Sequence, residues 1–255
     1  MKREEKEELI KLLEEKERRK KERKLFSYYP DTGPLRRELY TKHNQFFEAG
    51  TKFRERLMLA ANRVGKTEGV GGYEMVLHLT GLYPDWWQGR RFNRPIEAWA
   101  AGDTSETVRD IIQQKLLGPT HDMGTGLIPK DLIVDTKPRS GVPDAKQVVY
   151  VRHASGGISQ LGLKSYDQKR KSFQGTKKDV IWLDEEPPED VYGECLLRTM
   201  DTSGKGTENG MMMLTFTPLS GMSDVVMAFL QVVRLKKGMK AQSLLSWPLG
   251  MMHLT

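Results

Sequence analysis

The stretch Leu57-Met58-Leu59-Ala60-Ala61-Asn62-Arg63-Val64-Gly65-Lys66-Thr67 constrains this chain more than any other. An apolar run suited to a buried strand feeds a short polar turn ending in Gly-Lys-Thr. Beyond it, Met75, Val76 and Leu79 fall at helical spacing. Strand, turn and helix N-terminus form the setting of a phosphate-binding loop, because backbone N–H groups and the helix dipole converge there on one anion. In that setting Lys66 reaches the β- and γ-phosphates of a nucleotide, and the Thr67 hydroxyl holds Mg2+. Ala60 stands where the usual motif has its first glycine, so the loop must enter the turn with an ordinary backbone, while Gly65 is kept beside Lys66. Taken alone, the stretch also reads as a strand-to-helix turn with a surface lysine.

A second stretch narrows the choice. Asp179-Val180-Ile181-Trp182-Leu183-Asp184-Glu185-Glu186 is an apolar run tipped with acids and followed by two prolines. It predicts a buried parallel strand that presents carboxylates at its C-terminal end, lying beside the phosphate-loop strand. Asp184 then completes the metal shell with Thr67, and Glu185 polarises the attacking water. A solvated strand end explains the acids alone, but not their pairing with the loop.

The rest of the chain predicts the frame around these motifs. Residues 2–24 are nearly all charged, with Glu–Lys and Glu–Arg pairs four apart and a short stripe of Leu9, Ile10, Leu12 and Leu13. They predict a projecting helix, either a docking or DNA-facing arm or simply a solvated one. Phe26 to Gly33 is turn-forming and reads as a connector. Residues 35–49 read as a helix capped by Gly50, on which Gln45 is a candidate reader of the adenine edge. Ile96 to Ala101, Leu132 to Val134, Gln147 to His153, Ile158 to Leu163 and Met211 to Thr217 read as further strands, with helices after Ser105 and Val191. Strands alternating with helices predict an α/β fold, a mainly parallel sheet with helices on both faces. The organisation expected is residues 1–34 as charged helix and connector, 35–230 as the nucleotide domain, and 231–255 as an atypical tail outside the core.

Charge and cysteine content bound the partners. The 255 residues carry a net charge of +7, which favours a polyanionic partner. The five histidines are scattered, so no zinc site is expected. A single cysteine, Cys195, excludes an internal disulfide and reads as a small apolar residue on a helix. No apolar run is long enough for a membrane span, and the charged N-terminus predicts no signal peptide.

With both motifs placed, the chain resembles the ATPase domain of the tailed-bacteriophage terminase large subunit, the motor that packages viral DNA. The resemblance rests on three motifs in order. They are the deviant loop Ala61-Asn62-Arg63-Val64-Gly65-Lys66-Thr67, with an arginine before Gly-Lys-Thr, the acid-tipped strand ending in Asp184-Glu185-Glu186, and Leu214-Thr215-Phe216-Thr217-Pro218. It implies a P-loop NTPase fold of the ASCE type, with ATP and Mg2+ as cofactors. Ala61, Asn62, Arg63, Val64, Gly65 and Lys66 are implied to hold phosphates, Thr67 and Asp184 the metal, and Glu185 the role of catalytic glutamate. Arg63 is implied to stabilise γ-phosphate charge in cis, with Arg170 as a candidate finger in trans, and Thr217 to couple hydrolysis to movement. The partners implied are double-stranded DNA, a small terminase subunit, the capsid portal and further copies in a ring, with the chain in the host cytoplasm and transiently on the procapsid. The family usually continues into an RNase H-like nuclease. The sequence leaves no room for one after the coupling strand, so nuclease activity is not expected of these residues; either the chain is a truncated or frame-altered product, which the odd tail after Leu230 favours, or the nuclease is encoded elsewhere. A helicase-like ATPase and a nucleotide-binding scaffold without turnover remain the alternatives.

Overall fold

The apolar runs pair side by side into a single sheet. The computed structural model describes residues 6, 8–15, 23–61, 64–200, 209–218, 221, 223–237 and 251–254. Its strands are β1 (Glu55–Leu59), β2 (Glu97–Gly102), β3 (Ile133–Pro138), β4 (Lys146–Arg152), β5 (Ile158–Ser165), β6 (Val180–Asp184), β7 (Met211–Phe216) and β8 (Met251–Leu254). They lie in the order β3-β4-β5-β2-β6-β7-β1-β8. The five strands from β5 to β1 run parallel, β3-β4-β5 form an antiparallel meander, and β8 pairs antiparallel with β1. This is the α/β P-loop arrangement expected.

One expectation is corrected. The acid-tipped strand β6 does not lie beside the loop strand β1, because β7 is inserted between them and pairs with both. All three strands are buried along their whole length. Runs that are apolar on both faces fit any central position equally well, so their order is not written in their composition.

Side chains alternate strictly between two cores. Met58, Ala100, Trp182 and Met213 face one, together with Val70, Val76 and Leu79 from the helix after the loop. Leu57, Ala101, Leu183 and Leu214 face the other, with Val191 and Cys195 from the helix Glu189–Arg198 and Phe229 from Asp224–Lys237. Helices therefore cover both faces. Gly71 lies directly over the Trp182 indole, and a Cβ at that position would collide with it. Overpacking of this kind costs about 1–3 kcal/mol, so Gly71→Ala should lower the urea midpoint with an unchanged slope. An unchanged midpoint would show that the two elements separate freely.

The N-terminal connector belongs to this core instead of leading up to it. Tyr29 is buried, and its ring packs against Tyr40, His43, Phe47, Tyr73 and Trp86. Upstream, residues 8–15 are helical with Leu9, Ile10, Leu12 and Leu13 exposed. The ion pairs expected on that arm each involve residue 7 or residues 17–21, outside the described residues. In the tail the helix runs on to Lys237 and residues 251–254 add an edge strand, neither of which the sequence suggested. Among the described residues no helix is long and apolar enough to cross a membrane.

A buried ionic cluster ties β1 to the helix Tyr73–Thr80. Arg56 and Glu74 pair through two hydrogen bonds of 2.8 and 3.0 Å, with both side chains fully buried. Arg56 also donates to the Phe46 carbonyl at 2.7 Å, which fastens the helix Thr41–Ala49 to the same point. His78 lies 3.1 Å from Glu74 and 2.9 Å from the Tyr83 hydroxyl. Burial lowers the His78 pKa and so favours the neutral ring.

Candidate nucleotide site

The loop after β1 turns at Gly65, whose φ of 83° lies in the left-handed region open to glycine. The Gly65 carbonyl then accepts from the amides of Gly69 at 2.7 Å and Val70 at 3.1 Å. This opens a wide, π-type first turn, Lys66–Gly72, that runs into the helix Tyr73–Thr80. The loop is braced from beneath by Tyr29, which donates to the Gly69 carbonyl and lies 2.8 Å from His43 Nδ1. Burial lowers the His43 pKa to about 4, keeping the ring neutral against the loop.

Lys66 is buried and fully engaged. Its ammonium donates to the carbonyls of Ala60 at 2.8 Å and Ala61 at 2.7 Å, and to the Thr217 hydroxyl at 2.9 Å. Thr217 in turn donates to the Ala60 carbonyl at 3.0 Å. Burial pulls the Lys66 pKa down, opposed by the Glu185 and Asp184 carboxylates.

Across the gap, the Thr67 hydroxyl lies 3.0 and 3.1 Å from the two Asp184 carboxylate oxygens. Thr215, paired opposite Asp184 in β7, donates to Asp184 Oδ1 at 2.7 Å and accepts from Trp182 Nε1 at 2.7 Å. Burial pushes the Asp184 pKa up to about 7. Lys66 opposes that rise only weakly, and the carboxylate and its hydroxyl partners are hard oxygen ligands, which is the donor chemistry that Mg2+ takes. Asp184 and Thr67 therefore fit the metal role.

Glu185 follows immediately, exposed, with φ 66°, a left-handed conformation unusual for a side chain of this size. Partial desolvation raises its pKa, Lys66 opposes that shift and Asp103 adds to it.

The structure thus brings Lys66 to Thr217 and Thr67 to Asp184, with Gly65 at the turn before Lys66 and the Glu185 carboxylate close enough to act on its ammonium. Ala61 contributes a carbonyl to Lys66, and Val64 is exposed. Asn62 and Arg63 lie outside the described residues. Gln45 is exposed on its helix, and the side chain of that helix that reaches the loop is His43. Arg170 is paired with Glu194 at 3.0 Å, a contact within this chain. Sequence reasoning missed Thr215, His43 and Trp182. Only Thr215 had a readable signal, since it stands two residues before Thr217, where an extended chain would put both side chains on one side.

A family model described as "Terminase large subunit, T4likevirus-type, N-terminal" matches residues 57–245. The chain is 37% identical over 244 residues to a protein of Salmonella phage P22 described as "Terminase, large subunit", covering 88% of this chain and 46% of that relative's length. Similar solved structures include the large terminase ATPase domain of Thermus phage P74-26, with TM-score 0.40, 16% identity and 65% of this chain and 60% of that one covered. Another is the large terminase of a thermophilic bacteriophage in complex with ADP, with TM-score 0.43, 12% identity and 69% and 37% covered.

Proposed function

The chain belongs to the T4-like-virus-type terminase large subunit family, matching its N-terminal model, and from that premise we propose that it is the ATP-hydrolysing part of a motor that translocates double-stranded viral DNA into a procapsid. It spans 46% of the length of the P22 relative, so the larger protein's activity, substrates and partners are carried over only as part of this proposal. The observation that carries the reading is the convergence of Lys66 and Thr67 from the loop with Asp184 from β6 and Thr215 and Thr217 at the end of β7.

The chemistry follows from what these groups already do. Lys66 bonds to two neutral carbonyls and a hydroxyl, and phosphate oxygens offer the same geometry with formal charge, so the exchange strengthens its hydrogen bonds. Thr67 and Asp184 would hold Mg2+, which supplies charge compensation to the β- and γ-phosphates. Glu185 accepts a proton from water as the water oxygen bonds to the γ-phosphorus and the bridging oxygen leaves with ADP. Thr217 shares its hydroxyl with Lys66 and the loop, so a change at the phosphate end is felt at β7. Asn62 and Arg63 complete the phosphate cradle in this reading. The net charge of +7 suits a duplex held through its phosphates. A small terminase subunit, a portal and further copies in a ring on the host-cell procapsid are the partners this function requires.

The test is ATP turnover with and without random-sequence duplex, in the wild-type chain and in Lys66→Ala. Turnover should rise with DNA, and Lys66→Ala should lower it by at least about 10²-fold, as removal of one preorganised donor to developing charge does. Equal turnover in the two proteins would sink the assignment of the loop.

A further inference from the structure

Tyr166 has no part in the chemistry above, yet it is built into the peptide that carries it. It lies on the short turn Tyr166–Gln168 after β5, two strands away from β6, with β2 between. Its ring passes beneath the end of β2, packed against Phe173. There its hydroxyl reaches the carbonyls of Asp184 at 3.0 Å and Glu185 at 3.1 Å, and approaches that of Ala101 at 3.5 Å. The Tyr166 amide is itself fixed to the Asp103 carbonyl at 3.0 Å.

Two consecutive carbonyls meeting one donor is not strand geometry. Along a pleated strand successive carbonyls point to opposite sides, so both can face the same hydroxyl only where the chain leaves the strand between them. Glu185 does this with its left-handed φ of 66°. That conformation is costly for a non-glycine residue and persists only where the surroundings over-determine it. Here two contacts do so. The Glu185 amide is held by the Thr215 carbonyl at 3.1 Å, and its carbonyl is held by Tyr166. The first fixes the peptide entering the residue and the second fixes the peptide leaving it, and together they fix the direction of its Cα–Cβ bond.

We propose that Tyr166 is a positioning residue for Glu185, whose hydroxyl holds the turned peptide that aims the Glu185 carboxylate at the attacking water. The role rests on the hydrolytic reading above. It predicts a split that a packing role would not produce, because Lys66, Gly65 and Thr67 make no contact with Tyr166 and nucleotide affinity is independent of it.

The experiment uses the full chain with Tyr166→Phe, which keeps the ring and removes only the hydroxyl. The kcat for ATP should fall by about 10²-fold, the scale of misplacing a reacting group by an ångström, while KM and ADP affinity stay at wild-type values. In a Glu185→Gln background the same change should add no further loss, since a residue acting through Glu185 has nothing left to position. Wild-type kcat in Tyr166→Phe, or an equal further loss in the Glu185→Gln background, overturns the proposal. A backbone readout separates it from the hydrolytic reading. With 13C-labelled glutamate, the Glu185 Cα resonance, assigned by its loss in Glu185→Gln, should move toward extended values in Tyr166→Phe. A chain without turnover that still shows this shift sinks hydrolysis and keeps the positioning role. An unmoved resonance sinks the positioning role whatever the turnover.

Discussion

Glu185→Gln should bind ATP as tightly as the wild-type chain and hydrolyse it about 10²- to 10⁴-fold more slowly, the range that a positioned general base contributes. Affinity survives because the phosphate contacts proposed here come from Lys66 and the loop, and the metal contacts from Thr67 and Asp184. Glu185 acts on Lys66 only through charge and, in this reading, touches neither the phosphates nor the metal. An amide of the same shape can still orient a water but cannot accept its proton. The substitution also leaves the turned backbone intact, since the left-handed φ and the bonds to Thr215 and Tyr166 involve only main-chain atoms of this residue. Single-turnover hydrolysis measured beside equilibrium binding of labelled ATP separates the two effects. Turnover near the wild-type rate would take Glu185 out of the mechanism, and a parallel loss of binding would make it a ligand instead of a base.

Arg56→Met should destabilise the fold by about 3–5 kcal/mol, the cost of leaving one member of a buried ion pair without its partner. Glu74 would remain fully buried without its guanidinium partner, beside a His78 ring whose protonation burial disfavours. The Phe46 carbonyl would lose its donor at the same time. At about 2–4 °C per kcal/mol for a chain of this size, the melting temperature should drop by roughly 10 °C. The double substitution Arg56→Met with Glu74→Met removes both charges and should recover most of that loss, because well-packed apolar replacements of a buried pair are often neutral or better. Calorimetry on the single and double variants decides it. A single variant within about 1 °C of wild type would mean that water reaches the pair.

How much was legible follows from which signals are local. The phosphate loop and the acid-tipped strand could be read because each packs its chemistry into consecutive residues: Gly65 needs its left-handed turn, and Lys66 and Thr67 follow at once. The same holds for the Thr-Pro end of β7, where Thr217 meets Lys66. Strand order was not legible, since β1, β6 and β7 are equally apolar and only their pairing shows that β7 lies between the other two. Nor was the buried cluster. Glu74 in a helix and Arg56 in a strand look like solvated charges until the fold brings together residues 18 apart in sequence. Tyr166 and His43 were invisible for the same reason, because each acts through backbone atoms distant in the chain. Gln45 was chosen for its type and position, and the face of its helix that turns toward the loop carries His43 instead.

The insertion of β7 gives the site a single alignment key. Thr215 in β7 meets the carboxylate end and Thr217, just past the strand, meets the ammonium end. Side chains alternate along a strand, so sliding β7 by one residue would turn both hydroxyls away together. β1 and β6 share no strand-to-strand seam of their own and meet through β7, while Thr67 and Asp184 touch directly at their ends. A displacement of β7 would therefore reach Lys66 through Thr217 and Asp184 through Thr215 at the same time.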